Sequence, residues 1–232
     1  MAKLSRTFYS RRTDIVARSL IGKVLARRLA NGMVLKAIIT ETEAYLGIAD
    51  RACHTFRGRR TRRTETMWGP PGLAYVYLIY GMYSCLNAVT RRSGVPEAVL
   101  IRAARPLAET RSDWAAWQSL EPDQERWKDL MSGPGKLCRA LEINRKQDGL
   151  SLLSNTLWIE EAYRVPSKTI LKLPRIGIPY AKEAQKWPLR FLWNSGRLYE
   201  SLFRHYKDNR SNSLDSNKKI RKRDRRRSTS ET

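Results

Sequence analysis

The sequence predicts an α+β fold, a single mixed domain whose sheet is antiparallel and flanked by helices. Three observations predict it. Two apolar, branched stretches, VLARRLA and MVLKAIIT, flank Asn31–Gly32, the strongest short-range hairpin signal. An aromatic and branched run, Leu73–Ile79, reads as a further strand. The helical segments are short, and with hairpins between strands they favour α+β over a doubly wound sheet.

In chain order, Thr13 followed by DIVARSLI and closed by Gly22 predicts a short helix with Thr13 as its N-cap. The hairpin around Asn31–Gly32 comes next and runs to about Tyr45. After Leu73–Ile79, Gly81 marks a turn or a close backbone approach. Ala98–Arg102 is a second buried-strand candidate. Residues Trp114–Met131 are expected to form a helix despite Pro122, and Lys136–Leu141 a shorter one. Residues 207–232 hold almost no large apolar side chains and are rich in Ser, Asn and Arg, so they are expected to form a disordered basic tail. The folded domain is expected to span residues 1–206.

Charge bounds the partners. The 232 residues contain 45 Lys or Arg against 22 Asp or Glu, a net charge of +23. Such an excess gains from releasing counterions at a polyanion, so nucleic acid leads and an anionic membrane surface follows. The charge is uneven. Residues 51–64 carry six arginines and no acid, and the last 26 residues, 207–232, contribute a net +6. Lys3, Arg6, Arg11 and Arg12 begin the chain, and the absence of an apolar run after them argues against a secretory signal. Leu73–Val89 is too polar for a bilayer. The three cysteines have no CxxC spacing and only two histidines accompany them, so reduced thiols are expected in place of a disulfide frame or a zinc site. No phosphate-loop or dinucleotide motif is present.

Four places carry chemistry. In IITETEAY the strand period of two puts Ile39, Glu41, Glu43 and Tyr45 on one face. Glutamates in an apolar strand mean either an edge strand with a wet face or a carboxylate at the lip of a pocket. Arg102 ends the apolar run AVLIRAARP, where a cation must snorkel or pair, and Glu43 is a partner for it. The run GLAYVYLIYGMYSCLN has too many tyrosines for a plain core strand. It is either aromatic packing at a strand end or a stacking surface that meets bases. Asn87 closes this run as a polar group able to touch a base edge. His54 stands beside the loop RGRRTRR, whose Arg57, Arg59, Arg60, Arg62 and Arg63 are candidate phosphate contacts, which position without specifying. A basic surface, stacked aromatics and a water-activating carboxylate together fit an enzyme that takes a base out of its stack.

In this combination and order, ETEAYLG at 41–47, Cys53–His54, the run at 72–87, LIRAARP at 100–106, GPGKLCRAL at 133–141, PRIGI at 174–178 and PLRF at 188–191 resemble the alkyladenine (3-methyladenine) DNA glycosylase family of the mammalian type. The resemblance implies a curved antiparallel sheet similar to the barrel-like C-terminal fold of methionyl-tRNA formyltransferase. It implies a monofunctional hydrolase of base excision repair that cleaves the N-glycosidic bond of alkylated or deaminated purines and leaves an abasic site, without cofactor or metal. Its partner would be double-stranded DNA containing damaged purines, not a membrane. The protein would be a monomer, cytoplasmic or nucleoid-associated in a bacterium and nuclear in a eukaryote. By the same resemblance Glu43 is the general base and Arg102 helps to hold the attacking water. Tyr45, His54 and Tyr77 surround the flipped base. Asn87 rejects the amino group of guanine, and Tyr80 is the wedge that fills the vacated place in the duplex.

Overall fold

The computed structural model describes residues 1–108 and 110–194. The expected basic tail at 207–232 lies outside them. Eight strands form one antiparallel sheet: β1 (Val24–Arg28), β2 (Val34–Tyr45), β3 (Ala74–Ile79), β4 (Tyr83–Thr90), β5 (Glu97–Pro106), β6 (Leu157–Glu160), β7 (Ile170–Leu173) and β8 (Arg190–Trp193). The main path runs β3-β4-β5-β2-β1-β6, with β8 on β2 and β7 on β8. The α+β expectation holds.

The long β2 organises the sheet. Its first half pairs with β1, its second half with β8 on the same side, and β5 runs along its other edge. Glu41 and Glu43 therefore lie in an interior strand, and the wet-edge reading of this segment is wrong. The β2–β5 register slips twice, once for an extra residue at Thr40 and once for an extra residue at Arg102. Such bulges bend a strand and re-aim its side chains. The bulge at Thr40 also corrects the expected shared face: the alternation that unites Glu41, Glu43 and Tyr45 is interrupted before Ile39. Thr42, out of phase with them, donates to the Ala17 carbonyl at 2.8 Å.

The hairpin turn forms where Asn31–Gly32 predicts it, with Gly32 at φ +83° and the Leu29 amide donating to the Met33 carbonyl. The helices are α1 (Arg6–Tyr9), α2 (Thr13–Leu20), α3 (Arg111–Leu120) and α4 (Pro134–Ala140). Thr13 is not the N-cap of α2. It is the first helical residue, and its hydroxyl turns inward to bond Thr90 Oγ1 at 2.7 Å and Glu97. The helix expected at 114–131 is also corrected. It begins earlier, capped by Thr110, and stops at Leu120, because Pro122 forces the preceding residue out of helical geometry. A separate 3-10 turn, Gln124–Lys128, follows. Trp117 and Trp127 are fully packed, and each indole N–H finds a carbonyl, of Lys36 and Glu121 respectively. Among the described residues no helix is long and apolar enough to cross a membrane, and the three cysteines are free and buried.

Candidate active site

Glu43 is 0% exposed, and each of its hydrogen-bond and ion-pair partners is a donor. Oε1 accepts the Ile176 amide at 2.9 Å and lies 3.5 Å from Arg102 Nη1, while Oε2 accepts the Tyr45 hydroxyl at 2.8 Å. Glu41, two residues earlier, shares Arg102 (3.3 Å) and also takes Arg190 Nη1 from β8 at 2.8 Å. Two carboxylates thus face two guanidinium groups. The bulge at Arg102 delivers one of these, and the pairing of β8 with β2 delivers the other. Burial pushes the Glu43 carboxyl above its ordinary value, opposed first by Arg102 and then by the Ile176 and Tyr45 hydrogen bonds.

The partners of Glu43 form one wall of a cavity of about 420 Å³: Tyr45, Arg102 and Ile176 all line it. Aromatic groups of β3 and of the loop after β2 line it as well. Tyr75 and Tyr77 share a face of β3, their ring centroids 5.3 Å apart, and His54 meets Tyr77 edge-on at 4.6 Å. The pocket therefore combines flat aromatic faces with polar groups of Arg63, Arg102, Asn87 and His54, and the faces suit a planar, electron-poor ring.

His54 Nδ1 is 2.9 Å from the Tyr75 hydroxyl. Burial, with the nearby Arg63 and Arg59 cations, lowers its pKa to about 4, so the imidazole is neutral at physiological pH. A neutral ring adds no positive charge against a cationic base. Asn87 on β4 pairs with Tyr75 on β3, and its Nδ2 donates to the Tyr75 carbonyl at 3.1 Å, which fixes the amide in the cavity lining.

Tyr80 lies at the cavity mouth on the β3–β4 turn. Tyr80 (φ +53°) and Gly81 (φ +69°) are both left-handed, and the Met82 amide closes the turn on the Ile79 carbonyl. This geometry matches the twist of the flanking strands but strains a residue with a Cβ. It leaves the Tyr80 ring 82% exposed beside the exposed Met82 and Tyr83.

The arginine-rich loop divides. Arg60 pairs with Glu65 and lies over the Trp68 ring, while Arg63 donates to the Leu78 carbonyl and lies over Tyr77, at the cavity wall. Arg57 sits over Phe56 at φ +58°. Arg59 and Arg62 are exposed.

Arg102, Tyr45, His54, Tyr77 and Asn87 thus line one cavity with the exposed Tyr80, and Glu43 lies buried behind it, bonded to Tyr45 and Arg102. Sequence reasoning missed Arg190, the Ile176 amide and the buried Arg175–Asp50 pair. A signal existed for each, since Arg190 lies in PLRF and Arg175 and Ile176 in PRIGI. PRIGI stands out as a motif, but its role depends on a contact with β2 across more than a hundred residues.

A strongly basic α+β protein with a tyrosine-walled cavity and a buried, donor-ringed carboxylate defines a class: enzymes that accept a flat base and act on it beside a carboxylate. Comparison with known proteins is more specific. Residues 7–197 match the Methylpurine-DNA glycosylase (MPG) family, and the chain belongs to that family. It is 52% identical over 194 residues to a Bdellovibrio bacteriovorus protein described as "Putative 3-methyladenine DNA glycosylase", covering 81% of this chain and 93% of that protein. Proteins of the same description from Clostridium acetobutylicum (46% over 193 residues, 82% and 93% covered) and Methanocella arvoryzae (47% over 192, 82% and 92%) are similar to it as well.

Proposed function

We propose that the protein is a monofunctional DNA glycosylase of base excision repair that releases alkylated purines, 3-methyladenine foremost, from duplex DNA. The observation that carries this reading is the Glu43 carboxylate, fully buried against Arg102 behind the wall of the aromatic cavity. In the proposed reaction the damaged nucleotide leaves the stack and its base enters between Tyr45, Tyr77 and His54. Water attacks C1′ of the deoxyribose, the N-glycosidic bond breaks, and the bonding pair leaves with the base. Glu43 takes the proton of the water, which Arg102 helps to hold. A sugar carbon with cation character beside a carboxylate is the general pattern of glycoside hydrolysis. Oε2 must then exchange the Tyr45 hydroxyl for water once the pocket fills, since hydrogen bonds of a free active site commonly rearrange in the complex.

A 3- or 7-alkylated purine is already cationic and departs as a neutral base, so it needs no acid. It also gains from the aromatic faces. Deaminated or etheno purines need a proton on the leaving base and belong to the wider substrate range we propose. In this reading Asn87 discriminates at the base edge and Tyr80 fills the vacated stack. Arg57, Arg59, Arg60, Arg62 and Arg63 are the phosphate contacts this reading expects. The test is single-turnover release of free base from methylated duplex, with and without chelator. Free base with an unbroken strand supports the proposal. Chelator-sensitive strand cleavage, or binding without release, overturns it.

The proposal extends to organisation. Residues 1–206 form the catalytic domain of a monomer that engages duplex DNA and no membrane, and 207–232 add basic charge for nonspecific affinity. Truncation after residue 206 is expected to reduce the salt slope of DNA binding, by about 0.9 for each phosphate that the tail neutralises, with the chemical step unchanged. An unchanged slope removes the tail from the DNA interface. The likeness to the formyltransferase barrel-like domain is also proposed, supported by the bend the two bulges impose on β2 and β5. Superposition of a crystal structure on that domain tests it.

A further inference from the structure

Between the end of β2 and the segment that follows β7 lies an ion pair with neither side chain exposed. Arg175 Nη2 is 2.8 Å from Asp50 Oδ1, and Nη1 bonds both Asp50 Oδ2 and the Ala44 carbonyl. Nη2 also reaches the Ala184 carbonyl at 3.3 Å. Asp50 in turn accepts the amides of Leu46 and Ala52, so its carboxylate ties the turn after β2 to the same guanidinium. A buried pair of this kind is seldom more stabilising than packed apolar side chains of similar volume. Its value therefore lies in the geometry it enforces.

That geometry converges on Glu43. The residue after Arg175 is Ile176, whose amide donates to Glu43 Oε1 at 2.9 Å. The Arg175 Cζ lies 4.8 Å from the centre of the Tyr45 ring, whose hydroxyl donates to Glu43 Oε2 at 2.8 Å. Two of the three donors around the carboxylate are thus placed by Arg175, one through the adjacent peptide and one through the ring it covers. The third, Arg102, comes from β5. We infer that Arg175, locked by Asp50, is a positioning residue for the catalytic carboxylate, setting the orientation of Glu43 without touching the base or the water. The inference rests on the general-base reading of Glu43.

Two variants test it by single-turnover base release from a duplex carrying 7-methylguanine, measured across the acid and neutral pH range. Arg175→Lys keeps the charge beside Asp50 but cannot span four acceptors. The double variant Asp50→Leu/Arg175→Met removes both charges and keeps apolar volume, the exchange a buried pair tolerates best. In each, the rate at saturating protein is expected to fall roughly tenfold or more, the loss that ångström-scale misplacement causes. The protein concentration giving half the maximal rate is expected to change less than the rate does, because neither Arg175 nor Asp50 lines the cavity. The acid limb of the rate profile should move to higher pH as Glu43 loses aligned donors. A folded variant with the wild-type rate and limb overturns the inference. So does a loss that only tracks the unfolded fraction with the limb in place, since that is a structural role. If the wild-type protein releases no base while binding the duplex, the glycosylase reading fails instead, and the two failures are distinct.

Discussion

Glu43→Gln is expected to lower single-turnover base release by about 10²- to 10⁴-fold, the usual contribution of a positioned general base. Affinity for lesion-containing duplex should change little, because the carboxylate is fully buried and its partners, not its own oxygens, line the cavity. The pH profile gives an independent check. The working form is the carboxylate, and burial raises its pKa above 4.5, so activity should fall as pH drops through a midpoint higher than an ordinary glutamate shows. His54 is moved the other way, down to about 4 by burial and the nearby arginines, so the two groups separate and Glu43 is the one whose shift raises the limb. Stability carries the opposite sign. A folded-state pKa above the unfolded value means the native protein holds the proton more tightly, so stability falls as pH rises from the unfolded toward the folded pKa. Removing the charge with Gln should therefore leave the melting temperature at neutral pH unchanged or raised, the trade between stability and activity common at such sites. A Glu43→Gln protein that released base at the wild-type rate would end the general-base assignment. One that simply melted early would show that the carboxylate serves the fold.

Glu43 and Arg102 were legible because each is a charge in an otherwise apolar strand, and such a charge must be paired or used. The tyrosines were legible by number, since buried hydroxyls need partners. The hairpin at Asn31–Gly32 was legible because few residues other than Gly reach positive φ there without strain. What stayed hidden depended on distance along the chain. The bulges at Thr40 and Arg102 are a mismatch between two strands, invisible in either alone. Without them the period of two wrongly adds Ile39 to the face of Glu43. Arg175 reads in sequence as one more basic residue of a basic chain, and only the fold brings Asp50 to it. The helix through Pro122 failed for a local reason that the sequence did contain, the steric restriction on the residue before proline.

Tyr80 separates strain from function. An L-residue at φ +53° costs about 1–2 kcal/mol in the left-handed region, a cost glycine does not carry. Glycine in turn loses about 0.5–1 kcal/mol through the greater freedom of its unfolded chain. The balance predicts that Tyr80→Gly melts at the same temperature as the wild type or slightly above it. The turn itself survives, since two glycines suit its left-handed pair of positions. The same variant loses an 82% exposed ring at the mouth of the base cavity, the side chain proposed to stack where the extruded nucleotide was. Aromatic–base stacking is worth about 1–3 kcal/mol, so affinity for an abasic-site analogue should fall roughly fivefold to 150-fold. Base release should fall with it for paired lesions, and much less for a lesion in a mismatch or single strand, where extrusion costs little. A fold that tolerates strain at one exposed aromatic, when glycine would relieve it, is keeping that ring for a contact outside the protein. Unchanged affinity together with a raised melting temperature would remove Tyr80 from the duplex and leave its strain without a purpose.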